Sequence, residues 1–204
     1  MINNILKIYG LSIDIMEKLS FESKLDISLK NNLHYFDKDI LFNEIKEYID
    51  FLDESEILPN ISIDYRIKSI DSVLLKYQRY FPDHQCRKVF NDILGFRALC
   101  DNYDEIIDCD EKRFRIANMS HGKSIDDGYR GVHIYFQAYS KCYPIEMQFN
   151  TFYDRQLNDW LHKYIYKRNI NLDIGRLMRE KYENGMIINE SQFREELDNV
   201  LSDS

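Results

Sequence analysis

"DDGYRGVHIYFQAYSKCYPIEMQFNT", residues 126–151, sets a Gly-Tyr turn ahead of two apolar-rich runs, and the reading of those runs decides the fold. Successive side chains of a strand point to opposite faces. In "IEMQFN" Ile145, Met147 and Phe149 therefore go one way while Glu146, Gln148 and Asn150 go the other. The same parity in "GVHIYFQAY" sets Val132, Ile134 and Phe136 against His133, Tyr135 and Gln137. If the two strands pair, a carboxylate, an imidazole and an amide line one face. Pattern alone describes such a face as the solvent side of a half-buried antiparallel sheet, so a functional reading needs a second set of residues.

Two more strand-like runs precede this pair, "DILGFRALC" and "KRFRIANMS", each rich in apolar or aromatic residues and bounded by polar turn residues. Upstream of Pro82, "RIKSIDSVLLKYQRYF" carries Ile67, Ile70, Leu74 and Tyr77 at helical spacing, with Arg66, Lys76 and Arg79 on the other face, and "ISIDY" ahead of it is extended. "DKDILFNEIKEYIDFLDES" repeats the helical pattern through Leu41, Ile45, Tyr48 and Leu52. Residues 2 to about 20 form a further stripe through Ile5, Ile8, Leu11, Ile15 and Leu19, and "SFESKLDISLKNNL" is a connector. After the strands, Thr151 with Asp154 is a near-capping-box that starts a helix through Tyr153, Leu157, Trp160, Leu161 and Tyr164. Two more helices are expected at 172–183 and 190–201, parted by Asn184-Gly185. Helices before and after a sheet make the fold α+β. Three parts are expected: a helical segment over 1–58, a central domain over 59–168, and C-terminal helices over 169–204.

A chain of 204 residues with 44% hydrophobic residues suits a single core. Its formal net charge of -8 argues against a general nucleic-acid or anionic-membrane binder, because attraction to phosphate needs the opposite sign. A local basic cleft is compatible with that total. Cys86, Cys100, Cys109 and Cys142 show no CxxC pair and no histidine at metal-ligand spacing, so reduced thiols are expected. "MINNILKIYG" lacks a basic leader and no run of eighteen apolar residues occurs, which points to the cytoplasm.

The second set of residues begins at Asp92, just before the strand "ILGFRALC". A carboxylate that holds Mg²⁺ for phosphoryl chemistry usually shares the metal with another carboxylate and with substrate phosphates. Asp92 with Glu146 would make such a pair, and Arg97 with the basic helix face would supply phosphate contacts. Asp92 lies five residues from Arg97, so strict parity puts them on opposite faces unless Asp92 sits in the turn before the strand.

The order "RIKSIDS", "DILGFR", "GYRGVH", "IEMQFNT" and "HKYIYK", over roughly residues 60–168, resembles the synthetase domain of RelA/SpoT-type alarmone synthetases, especially the small single-domain ones and their toxin-type relatives. That resemblance implies a nucleotidyltransferase-like mixed β-sheet flanked by helices. It implies a Mg²⁺-dependent transfer of pyrophosphate from ATP to the ribose 3′-hydroxyl of GTP or GDP, giving (p)ppGpp and AMP. It implies that Arg66 and Arg97 sandwich the adenine, as planar guanidinium groups can, and that Lys68, Ser72 and Lys76 face the ATP phosphates. It implies that Asp92 and Glu146 hold the metal, with Glu146 also taking the proton of the attacking hydroxyl. On the acceptor side it implies guanine stacking on Tyr129 in a loop that Gly128 permits, contacts from His133, Gln148, Asn150 and Lys123, and a supporting role for His162.

The chain departs from the family pattern at Asn150, which replaces the arginine of Glu-x-Gln-x-Arg-Thr, and in "HGKSIDD", which supplies only Lys123 where two lysines are usual. Both departures fall on the acceptor side. Three readings stay open at this level: an alarmone synthetase, a toxin-type relative that pyrophosphorylates the 3′ end of tRNA or another nucleotide, and a catalytically silent nucleotide-binding regulator. No His-Asp pair resembles the family's hydrolase centre, so synthesis without hydrolysis is expected. The first sixty and last thirty-five residues offer surface to a second copy of the chain or to an antitoxin partner.

Overall fold

The short polar residues that precede each apolar stripe fix where the helices begin. In the computed structural model, described over residues 6–108, 112–168 and 171–202, helix α1 (Ile13–Lys18) starts where Ser12 Oγ accepts the Ile15 N–H. Asp37 accepts from Asp39 and Ile40 to start α2 (Lys38–Asp53). Such caps satisfy amide donors that the first helical turn leaves open. The stripe expected from residue 2 is broken at Gly10, which has φ +71°. Leu11, Met16 and Leu19 are buried but Ile8 is exposed, and Ile5 lies outside the described residues.

Following α2 come β1 (Asp64–Ile67), α3 (Ile70–Tyr80), the short α4 (Cys86–Val89), β2 (Leu94–Leu99), the single turn α5 (Asp104–Ile107), β3 (Phe114–Asn118), β4 (Val132–Phe136) and β5 (Ile145–Asn150). Then α6 (Phe152–Tyr164), α7 (Leu172–Glu183) and α8 (Glu190–Ser202) complete the chain. The expectation that Arg66 rides on the helix is corrected here: Ser69 caps α3, so Arg66 belongs to β1 and Lys68 to the link between strand and helix. Ile67 shares the helical spacing by coincidence; it pairs with Leu94 across β1 and β2.

The five strands form one sheet in the order β1-β2-β5-β4-β3. β1 and β2 are antiparallel, with Arg66 opposite Gly95 and Asp64 opposite Arg97. Gly95 lies against Glu146 and the Cys100 amide donates to the Asn150 carbonyl, so β2 and β5 advance together and are parallel. Met119 and Gly131 exchange backbone hydrogen bonds while Gln137 N–H reaches Arg113, which makes β3 and β4 antiparallel. The sheet is therefore mixed, and with flanking helices the fold is α+β.

The chain divides into two compact units, one of residues 1–98, 105–116 and 133–148 and the other of 99–104, 117–132 and 149–204. In the first, Leu41, Ile45, Tyr48 and Leu52 of α2 are all buried, and burying such a side chain is worth roughly 1.5–3 kcal/mol each. Glu44 is buried among them. Its carboxylate accepts from the Ser23 hydroxyl at 2.7 Å, the Lys24 amide at 2.6 Å and the Tyr143 hydroxyl at 2.8 Å, which answers the cost of a buried charge. In the second unit, Leu157, Trp160, Leu161, Tyr164, Met178 and Phe193 join in one cluster that ties α6, α7 and α8 together.

Cys86 and Cys142 are buried free thiols and Cys100 is a half-buried one; burial pushes the Cys100 thiol up to about 11. Cys109 lies outside the described residues. No described helix is long and apolar enough to cross a membrane.

Candidate active site

The polar face of the strand pair is not a solvent face. Glu146 is only 6% exposed, and its partners come from the alternate positions of β4 and β5. His133 Nδ1 lies 3.0 Å from Glu146 Oε1, and Gln148 Nε2 donates to Oε2 at 2.7 Å. The Tyr135 hydroxyl sits 3.3 Å from the same histidine nitrogen. Burial pushes the Glu146 carboxyl up, but the bond and charge of His133, with bonds from Gln148 and Tyr135, outweigh it and hold the group below the usual carboxylate range. With the carboxylate as acceptor, the Nδ1 proton of His133 points at Glu146. Its parity with His133 was the sequence signal for the place of Tyr135 here.

Asp92 stands in the turn before β2, where parity with Arg97 required it. One carboxylate oxygen accepts from Lys68 Nζ at 2.6 Å and the other from Lys76 Nζ at 3.0 Å. Lys76 also reaches Asn91 Oδ1 at 3.3 Å, so Asn91 is a further residue of this cluster. These ammonium groups are only partly exposed, which makes the pairs worth more than screened surface pairs. Ser72 stands three residues along α3 from Ser69, the two hydroxyls 3.0 Å apart.

Arg66, Lys68, Asp92, Arg97, Glu146 and Gln148 line one small cavity of about 40 Å³. Gly95 forms part of its floor, and a Cβ there would stand 3.6 Å from Glu146 Oε2. Four segments that are separate in sequence therefore deliver four cations or guanidinium groups, counting the nearby Lys76, and two carboxylates to one place. The two carboxylates are hard oxygen donors of the kind Mg²⁺ takes together with substrate phosphates, and each carboxylate oxygen can accept beyond the bond it already has. Among the described residues no group of three or more His, Cys, Asp or Glu could hold a metal by itself.

The remaining expected residues belong to the second unit. Gly128 has φ +87°, a region open to glycine at little cost. A Cβ on it would stand 2.2 Å from the Gly175 carbonyl oxygen, and one on Gly175 would stand 2.2 Å from the Asp127 carbonyl oxygen. The loop therefore lies directly on α7. Tyr129 follows, half-buried, with Lys123 Nζ 5.0 Å from its ring centroid and paired with Asp127 at 2.5 Å. Asp126 takes Arg130 at 2.7 Å; the Arg130 hydrogen bond holds its carboxyl below the usual range against a partial burial. Asn150 is 2% exposed and donates to the Arg130 carbonyl at 2.9 Å, so in place of a charge it gives the loop a backbone tether. His162 is exposed on α6.

Sequence reasoning missed Arg179, which is fully buried. Its guanidinium donates to the Gly128 carbonyl at 2.8 Å, to Asp154 Oδ1 at 2.7 Å and to Asn158 Oδ1 at 3.2 Å. Asn158 in turn donates to the Arg130 carbonyl at 2.6 Å, and the Tyr166 hydroxyl donates to the Asp127 carbonyl at 2.8 Å. The one available signal was that Arg179 falls on the face of α7 shared by Gly175, Met178 and Tyr182, all buried.

No family model and no curated protein matches this chain. Among solved structures it is similar to small alarmone synthetase 1 from Bacillus subtilis, at 19% identity and a TM-score of 0.42, over 79% of this chain and 92% of that one. It is similar to the same protein bound to its product pppGpp, at 18% and 0.42 over 80% and 88%. Small alarmone synthetase 2 from Bacillus subtilis is 20% identical with a TM-score of 0.42, over 83% and 100%. Scores of this size carry no chemistry across, and the side chains have to supply it.

Proposed function

We propose that the chain is a Mg²⁺-dependent pyrophosphokinase that moves pyrophosphate from ATP to the 3′-hydroxyl of GTP or GDP. The supporting observation is the convergence of Arg66, Lys68, Asp92, Arg97 and Glu146 on one cavity, because these residues come from separate motifs and have complementary tasks in phosphoryl transfer. Arg66 and Arg97 take the adenine between planar groups. Lys68, Lys76 and Ser72 meet the phosphates, which compete with Asp92 for the two ammonium groups. Asp92 and Glu146 would hold Mg²⁺, which neutralises phosphate charge when bound.

Glu146 suits the acid–base step. Its depressed carboxyl is ionised at neutral pH, and His133 and Gln148 fix its orientation from either side. The 3′-hydroxyl gives up its proton to Glu146 as its oxygen bonds to the β-phosphorus. The bond from that phosphorus to the oxygen bridging the α-phosphate breaks, and AMP leaves with the electron pair. On the acceptor side Tyr129 stacks on the guanine, with Lys123, His133, Gln148 and Asn150 serving its ribose and phosphates. The acceptor is a free guanine nucleotide in this proposal, since the chain's net charge of -8 disfavours a long polyanion.

The test incubates the purified protein with Mg²⁺ and ATP labelled on the γ-phosphate, adding GDP, GTP or deacylated tRNA in separate tubes. Label on the guanine nucleotide is expected. Label on tRNA would replace this proposal with the toxin-type reading, and label kept by ATP in every tube would refute transfer altogether.

A further inference from the structure

A further cluster of cations in the first unit lies outside the lining of the donor cavity. A second cavity of about 370 Å³ is bordered by Lys30, Arg87, Lys88, Lys112, Arg113 and Arg115, and no acidic residue is among its described lining. It shares no lining residue with the small cavity around Asp92 and Glu146. Arg113 pairs with Glu17, whereas Lys30, Arg87, Lys88, Lys112 and Arg115 form no ion pair among the described residues. The Arg87 side chain reaches Gln85 at 3.4 Å, and Arg115 lies over the Tyr135 ring at 4.2 Å.

In a chain with a formal net charge of -8, holding Lys30, Arg87, Lys88, Lys112 and Arg115 round one hollow is unfavourable by mutual repulsion unless a counter-charge enters. We propose that this cavity is a binding site for a small molecule carrying an oligophosphate chain. Three observations select that class. The volume falls within the range of ordinary ligand pockets, roughly 300–1,000 Å³. The cations come from separate elements, α4, the approach to β3, β3 itself and the connector before α2, so they surround a compact anion rather than lie along an extended one. The acidic remainder of the chain repels a long polyanion beyond the hollow, which disfavours a nucleic-acid backbone. The wall residue Tyr135 lies beside His133, which gives a bound phosphate chain a route of influence on the Glu146 cluster.

The experiment is calorimetric titration of the full chain with inorganic tripolyphosphate, alone and with a saturating non-hydrolysable ATP analogue. With the ATP analogue filling the donor cavity, wild type should still bind one tripolyphosphate. The double variant Arg87→Glu, Lys88→Glu should weaken binding by at least tenfold while leaving binding of the ATP analogue unchanged. Lys30→Glu is a second probe, on an exposed residue outside the sheet, and should also weaken it. A non-hydrolysable GTP analogue distinguishes the sources: loss of one of its binding events in the double variant assigns a nucleotide, and unchanged binding in that variant assigns the phosphate chain alone. The proposal is overturned if tripolyphosphate does not bind, if the ATP analogue displaces it, or if both variants bind it as wild type does. It is also overturned if a single-stranded RNA oligonucleotide binds more tightly than tripolyphosphate and the same variants abolish that binding. Failure of ATP to donate pyrophosphate would leave these outcomes untouched, so the two readings fail separately.

Discussion

The chemistry at Glu146 is set by a contest between burial, which favours the protonated acid, and three hydrogen-bonding neighbours, which favour the ion. The ion wins, so the folded carboxyl titrates below the ordinary glutamate value of about 4.3. Its contribution to stability is accordingly present above the unfolded pKa and lost as pH falls through the folded one. The same sign governs activity: the base is lost only at low pH. His133→Ala removes the partner that opposes burial most and leaves burial unopposed by it, so the acid limb of the kcat/KM profile should move to higher pH. Rates measured from about pH 4 to pH 8 read this directly, and an acid limb that stays in place would remove Glu146 as the titrating base. Glu146→Gln keeps the shape but not the charge and should lower kcat by roughly 10²–10⁴-fold or more with little change in unfolding midpoint. Pairing of this kind was legible in the alternation of "IEMQFN" and "GVHIYF", because strand parity fixes which residues share a face. The burial that shifts the pKa was not, since it depends on what covers the face.

The start of α6 was legible for the same local reason: a cap and its helix are neighbours in sequence, as Thr151 and Asp154 are. Arg66 was misplaced because a strand residue, Ile67, kept helical spacing with the helix after it, and only the cap separates the two. The support of the Gly128 loop was illegible, because Arg179 meets partners 51, 25 and 21 residues away in sequence. That support carries two predictions. Arg179→Met leaves the Asp154 carboxylate without its ion pair, although Thr151 and Tyr103 still donate to it. Removing one partner of a buried pair costs about 3–5 kcal/mol, so urea unfolding should show a loss near the lower end of that range. Gly128→Ala drives a Cβ against the Gly175 carbonyl at a positive φ and should displace the loop that carries Tyr129. Its KM for the guanine nucleotide should rise several-fold more than its KM for ATP. An equal rise in both would show that the loop does not serve the acceptor.

At the scale of the whole molecule, the question is whether residues 169–204 are an appendage to the 59–168 segment or part of what keeps it folded. The side chains favour the second answer. Trp160 of α6 is 8% exposed; it packs edge-on against Tyr182 of α7 with ring centroids 5.8 Å apart, and at a tilt against Phe193 of α8 at 5.7 Å. Tyr153 of α6 and Tyr182 donate hydroxyl bonds to each other's carbonyls at 3.0 and 3.1 Å. A chain ended at Arg168 would lose Met178, Tyr182, Ile187, Phe193 and Leu197 from the shared core and Arg179 from the Gly128 loop. It would thereby expose the apolar face of α6, whose burial is what holds such a helix in place. The chain contains a single tryptophan, so its fluorescence reports this packing without interference. Ending the chain at Arg168 should move the emission maximum to longer wavelength, toward that of the urea-unfolded protein, and should abolish binding of a guanine nucleotide. An unshifted emission with binding intact would show that 59–168 folds by itself and that the terminal helices serve another purpose, such as a partner surface.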